Sequence, residues 1–370
     1  MRTRTRAIAA LMLDALTSKC NVVAETISLG ARRVAALNRA RCRFGYIGGH
    51  GYQGLGDNAM FNAARRLLPD DEVITFDLPW HEQRLAKVGL AGRMFFDSVI
   101  LGGGTLINPM WHEKTRLALC QRLPVWALGT GVGSCGFQQE ELVDLRAWRP
   151  LLADFTRIGV RGPRSKAALE AVGVGNVEVV GDLACTLAQD ESPEPATPPR
   201  VAVNVSGGQV YGQGEYERLN ELEHALGQLV RQGWRVVWVA LDPADVEPMS
   251  ELMARMGLGH YPMPVLSTPA EFFRAVGPCT FTVAVRLHAA VLSACVGVPS
   301  LMLSYRDKCA DFMDSMGLQD WVVRLRGGEP GEIAEKTLEL SRHAGAMRAG
   351  VLSAAQAWGR TIEEYVRSVR

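Results

Sequence analysis

Arg286, His288, Tyr305 and Lys308 punctuate the largely apolar stretch CTFTVAVRLHAAVLSACVGVPSLMLSYRDK that runs from Cys279 to Lys308. Arginine grips carboxylate or phosphate with a planar fork, lysine offers a point charge, and histidine moves a proton near neutral pH. Gathered at one place they make an anion site with an acid–base group. The spacing says how they meet. Phe281–Val285 is β-rich and ends on Arg286, after which Leu287, Val291 and Cys295 recur at a helical interval. Gly297 and Pro299 stop that helix, and a second β-rich run, Ser300–Tyr305, leads into Arg306, Asp307 and Lys308. A strand–helix–strand unit this apolar is buried on both faces, as in parallel sheets, whose ligands bind at the carboxyl ends of the strands. Arg286 and His288 fall at one such end, Tyr305 and Lys308 at the next. The alternatives are a core histidine bonded to backbone, and a lysine and tyrosine serving only as partners of Asp307 and Asp311.

Other strand ends carry similar signals. Arg161 closes RIGVRG (157–162), and an arginine at the end of a buried strand is costly unless something pairs with it. Gly102-Gly103-Gly104-Thr105 ends SVILGGG (98–104), and Gly129-Thr130-Gly131 ends VWALGTGVG (125–133). Glycines there let backbone N–H groups approach a substrate or phosphate closely, or merely link strand to helix. The first turn, Gly48 to Gly54, contains G-x-G-x-x-G at Gly49, Gly51 and Gly54, with Asp77 ending the next strand. That pattern suits a dinucleotide, or only a tight turn.

The elements that must position these residues alternate regularly. FGYIGG is a first strand, Asp57–Leu68 a helix that Asp57 is placed to cap, and VITFD (73–77) a second strand. The two glycine-ended strands follow, then a helix over Gln138–Leu145. RIGVRG is the fifth strand, Pro163 starts a helix to Val172, and VEVVGD (177–182) is the sixth. ESPEPATPPR, residues 191–200, holds four prolines and reads as an extended linker. The alternation restarts with VAVNVSGG (201–208), a helix over Glu215–Gln232, RVVWVALD (235–242) and a helix within 244–256. In STPAEFFRAV, Ser267 or Thr268 caps, Pro269 takes the first helical position and Glu271 can complete a capping box. The division is therefore a basic amphipathic segment (1–43), a Rossmann-like domain (44–190), the linker, a second Rossmann-like domain (201–330) and C-terminal helices (331–370). This is an α/β chain whose two domains face each other across a cleft.

Composition limits the partners. With 370 residues there is material for two cores, and a net charge of +1 provides no global field for nucleic acid. Residues 1–43 hold nine Lys or Arg against Asp14 and Glu25, a net of +7, so the remainder carries −6. Ile8, Leu11, Met12, Ala15 and Leu16 fit an amphipathic helix that either packs on the domain or touches an anionic membrane surface peripherally. Asp14 interrupts AIAALML too early for a signal peptide, and no apolar run is long enough to span a bilayer. Eight scattered cysteines without a C-x-x-C pair read as reduced core thiols of a cytoplasmic protein, with no zinc spacing.

RLHAA, then GVP, then SYRDK followed by Phe312 and MGL, resembles the C-terminal signature of the polysaccharide pyruvyl transferases. The resemblance extends upstream. Gly56 and Asp57 match the family's Gly-Asp-Glu, with Asn58 in place of the acid and Gly54 where an Asn is usual. Gly103, Gly104 and Thr105 match a GGG-T turn, and Gly129 and Gly131 a G-x-G turn. Arg161 and Ser165 match Val-Arg-Asp…Ser, but Gly162 replaces the Asp, so that acid cannot orient the arginine here. The resemblance implies a GT-B-like pair of Rossmann-like domains, with the C-terminal helices crossing back onto the first. It implies transfer of the enolpyruvyl group of phosphoenolpyruvate to a sugar or lipid-linked oligosaccharide acceptor, a cell-envelope or exopolysaccharide precursor, as a ketal. Arg161 and Arg286 would hold carboxylate and phosphate and His288 would donate the proton. Gly56, Asp57, Gly103, Gly104, Thr105, Gly129, Gly131, Ser165, Tyr305 and Lys308 would line the substrates, with no redox cofactor or metal. The rivals are a GT-B glycosyltransferase using a nucleotide sugar, a non-catalytic sugar- or phosphate-binding member, and a dinucleotide-dependent oxidoreductase.

Overall fold

The computed structural model describes residues 42–51, 54–76, 95–133, 144–206, 213–258, 263–325 and 327–369. The amphipathic helix expected around Ile8–Leu16 and all of the basic segment 1–43 but its last two residues fall outside these, as do Asp77 and most of the helix expected at Gln138–Leu145. In the first domain the strands are β1 (Arg43–Ile47), β2 (Glu72–Thr75), β3 (Ser98–Leu101), β4 (Gly104–Ile107), β5 (Val125–Val132), β6 (Arg157–Val160) and β7 (Val177–Val179). They form a parallel sheet in the order β2-β1-β3-β5-β6-β7, with β4 paired to β5. Helices α1 (Leu55–Leu67), α2 (Pro109–Cys120), α3 (Arg149–Ala153) and α4 (Pro163–Ala171) accompany it.

The second domain has β8 (Arg200–Asn204), α5 (Gln213–Arg231), β9 (Arg235–Trp238), α6 (Val246–Arg255) and α7 (Pro269–Val276). These are followed by β10 (Phe281–Ala284), α8 (Leu287–Ala294), β11 (Ser300–Ser304), α9 (Asp307–Ser315) and β12 (Val322–Arg324). Its parallel sheet runs β12-β11-β10-β8-β9. Both sheets are doubly wound, and their topological switch points lie at β1/β3 and at β8/β10, where crevices for ligands open. The switch points face one another. Leu55 N at the start of α1 donates to Leu241 O of the second domain at 3.0 Å. One apolar core runs through α1, the 3₁₀ turn Leu183–Leu187 and α8, joining the two halves.

Several local expectations change. α1 begins at Leu55 on Gly54, so Asp57 sits inside the first turn and caps nothing. GGG-T is no simple turn: Gly104 and Thr105 enter β4. Gly129 and Gly131 lie within β5, whose register slips between Ala127 and Thr130, with Gly129 at φ +67°. α2, capped by the Asn108 side chain with Pro109 at the first position, has no counterpart in the sequence reading. α7 carries the capping box, with Thr268 as the cap. The tail is one helix, α10 (Glu332–Val369), which starts against the second domain and returns to the first, where the Tyr365 hydroxyl donates to Ala127 O at 2.9 Å.

Candidate active site

The arginine that follows β6 is sealed in the interior. Arg161 is 1% exposed, and none of its three side-chain nitrogens makes a hydrogen bond. Among the described residues its ion pair is with Asp182, Nη1 to Oδ2 at 3.6 Å, and Asp182 is sealed as well. Asp182 Oδ1 accepts from Ala184 N at 3.0 Å, capping the 3₁₀ turn, while Oδ2 has no hydrogen-bond partner. Buried polar groups normally find partners, and a charged one without them is costly. This guanidinium is therefore built to meet something that the chain does not supply.

His288 arrives from the opposite domain. Arg286 precedes α8 in extended backbone, which places His288 in the first turn, facing α1. Glycine at 56 permits this approach, since a Cβ there would overlap His288 Nδ1. The other ring nitrogen, Nε2, is shut off from solvent and has no hydrogen-bond partner. Burial lowers the proton affinity of the imidazole; Asp182 and Asp57 pull it up, while Lys308 and Arg161 push it down. All four charges are thus within electrostatic reach of His288, and the switch points of both domains contribute to one polar nest.

Arg286 is differently placed. Its Nε donates to both oxygens of buried Asp245, at 2.6 and 2.8 Å, and Nη2 lies 3.6 Å from Asp242. Its backbone N donates to the Asn204 side chain at the end of β8, and Asn204 also donates to Asp245 at 3.2 Å. Burial opposes the Arg286 charge, and Asp245 more than compensates. Lys308, by contrast, pairs with no carboxylate among the described residues and lies 5.1 Å from the Tyr305 ring centroid. Asp307 is turned to Arg164 at 3.6 Å, and Asp311 to the start of α4. Lys308 and Ser165 line a cavity of about 160 Å³ at the interdomain face.

The family described as polysaccharide pyruvyl transferase matches residues 55–307, most of the two domains. The chain belongs to that family. Among curated proteins no sequence match is found. Among solved structures, a Listeria monocytogenes protein described as a UDP-N-acetylglucosamine 2-epimerase is similar at a TM-score of 0.55 and 12% identity, over 88% of this chain and 95% of that one. A UDP-GlcNAc 2-epimerase from Methanocaldococcus jannaschii gives 0.52 and 12%, over 88% and 99%. At such identity they share the fold, two Rossmann-like domains in a GT-B-like arrangement.

The pyruvyl transferase signature residues divide by position. Arg161, Asp57, Gly56, His288 and Lys308 converge. Gly131 lies beneath Arg161, since a Cβ there would be 2.8 Å from Nη2. Gly103 packs on Met60 and Leu183, Gly104 lies near Met60 and Leu106, and Gly129 backs onto Gly181 and Leu183. Thr105 lies against Gly133, and Ser165 is held by Asp311. Sequence reasoning missed Asp182, Asn204 and Asp245. Asp182 and Asn204 end VEVVGD and VAVN, the signal that marked Arg161; Asp245 carried none.

Among the described residues no group of three His, Cys, Asp or Glu side chains is arranged to hold a metal ion. No described helix is long and apolar enough to cross a membrane.

Proposed function

We propose that this pyruvyl transferase family member transfers the enolpyruvyl group of phosphoenolpyruvate to a sugar of a polysaccharide precursor. One observation carries the reading: the sealed guanidinium of Arg161, without a hydrogen bond, lies within electrostatic reach of His288, whose buried Nε2 also lacks a hydrogen-bond partner. Arg161 takes the donor's carboxylate or phosphate bidentately. Lys308, which has no carboxylate partner among the described residues, takes the other anionic group. Arg286 acts chiefly through Asp245, holding the start of α8 and with it His288 in place.

In the chemical step His288 gives a proton to the methylene carbon as a sugar hydroxyl oxygen bonds to the adjacent carbon. The carbon–oxygen bond to phosphate then breaks, and a second hydroxyl closes the ketal. Of the two hydroxyl protons, one replaces that of His288 and the other leaves on phosphate. An empty site favours neutral His288; a bound trianion opposes the effect of Lys308 and Arg161 and restores the proton where it is used. A positioned acid of this kind contributes about 10²–10⁴-fold. For the acceptor, the face of α1 beside the site offers a cavity of about 1020 Å³ lined by His50, Asn58, Phe61, Asn62 and Arg65. An aromatic ring among amide and cationic groups suits a sugar.

A nucleotide-sugar glycosyltransferase fits the same two-domain architecture, and the glycine turn before α1 suits a dinucleotide. His288 occupies the space over the first turn of α1 that a pyrophosphate would need, which favours the first reading. Thermal unfolding with each ligand separates them. Phosphoenolpyruvate at about a hundred times its dissociation constant should stabilise by about 2.7 kcal/mol. Stabilisation by a nucleotide sugar or NAD, with none from phosphoenolpyruvate, would overturn the proposal. Phosphate release with a panel of sugar and lipid-linked acceptors then identifies the acceptor.

A further inference from the structure

The resemblance leads to the expectation of an acid at 162, where this chain has glycine, yet a carboxylate is present at this turn. Gly162 is the N-terminal cap of α4 in extended backbone and has no side chain to accept from the first-turn amides. Asp311, on α9 of the opposite domain, does so instead. Its Oδ1 accepts from Arg164 N at 2.8 Å and Ser165 N at 3.4 Å, and its Oδ2 accepts from the Ser165 hydroxyl at 2.7 Å. The Ser165 oxygen in turn accepts from Val132 N at 3.2 Å, at the end of β5. Asp311 is 2% exposed. The bonds to Arg164 and Ser165 are those a capping side chain at 162 would make.

The substitution at 162 and the carboxylate at 311 are mutually dependent. A Cβ on Gly162 would overlap the Asp311 carboxylate and lie 2.6 Å from the Asp311 backbone oxygen. Only glycine lets α9 dock this closely. Arg164 reinforces the contact through Asp314 at 2.6 Å and Asp307 at 3.6 Å. Arg161 immediately precedes the turn, and its Nη2 shares the surface of Gly131 with the Ser165 hydroxyl.

We propose that Asp311 is a positioning residue that caps α4 from the other domain, so that the turn carrying Arg161 is complete only when the two domains are closed. The orienting acid has moved across the cleft, and closure and site assembly become one event. This concerns the frame of the site and stands independently of which anion Arg161 binds.

Amide hydrogen exchange tests it without any substrate. Asp311→Ala should speed exchange at Arg164 and Ser165 by about tenfold or more, leaving β10 and α8 as they were. Adding Gly162→Asp should return those two amides to within about threefold of the wild type, because the cap is remade on the same chain segment. Peptides of α9 should stay fast in the double variant, since the new Cβ holds α9 away. Unchanged exchange at Arg164 and Ser165 in Asp311→Ala would overturn the inference, as would failure of Gly162→Asp to restore it. Should Asp311→Ala not fold, Asp311→Leu, of similar shape but without an acceptor, takes its place. Acceleration confined to the α4 turn then supports the cap, and acceleration spread evenly over both sheets refutes it.

Discussion

Replacing Arg161 by Met separates what the arginine costs the fold from what it does for a ligand. The Arg161→Met side chain needs no hydrogen bonds and replaces the aliphatic part of the arginine, leaving out the guanidinium group. It also leaves Asp182 buried and charged, with Oδ2 lacking any partner. Breaking a buried pair on one side costs about 3–5 kcal/mol. Adding Asp182→Asn removes the charge while keeping an oxygen for Ala184 N, at the expense of one unsatisfied amide, about 1 kcal/mol. The double variant should therefore recover about 2–4 kcal/mol over Arg161→Met alone. Denaturant unfolding measures this directly, with and without phosphoenolpyruvate. Wild type should gain about 2.7 kcal/mol at a hundredfold excess over the dissociation constant, and both variants essentially nothing. A double variant no more stable than the single one would show that the Arg161–Asp182 charges are not coupled. Ligand stabilisation that survives in either variant would show that Arg161 is not the anion site.

The other expectations concern neighbours of that pair. His288→Gln should lower kcat by about 10²–10⁴-fold with donor affinity nearly unchanged; a weakened affinity at full kcat would make His288 a ligand instead. Burial holds His288 below its ordinary 6.5, so the unfolded chain takes up the proton first. The stability that neutral His288 contributes is intact above pH 6.5 and lost as pH falls through the lower folded value. Unfolding followed from about pH 8 to about pH 5 should thus weaken wild type more than His288→Gln. Gly56→Ala should push the imidazole of His288 aside and cost kcat about 10²-fold, and full activity would contradict the packing. Lys308→Met should raise the phosphoenolpyruvate dissociation constant by about tenfold or more. Arg286→Lys, which loses the double contact with Asp245, should reduce thermal stability more than donor affinity.

Much of this protein is local. Apolar runs of four or five residues ending in glycine, alternating with helix-length segments, are enough to specify parallel strands and a proline-rich break between two domains, because burial on both faces demands continuous apolar sequence. The capping box at Thr268 and Glu271 and the proline starts of α4 and α7 are equally local, each involving backbone within one turn. The RLHAA and SYRDK motifs place their residues at strand ends for the same reason. What the chain alone could not reveal is which strand ends meet. Asp182 becomes the partner of Arg161 only when β7 lies beside β6, and His288 reaches Gly56 only when the two domains face each other. Arg286 loses its freedom to Asp245, forty-one residues earlier in the chain, while Lys308 keeps its own. The loss of an acid at 162 looks like a defect in one dimension. In three dimensions Asp311 supplies it from the other domain, since a hydrogen bond depends on distance in space and is indifferent to separation along the chain.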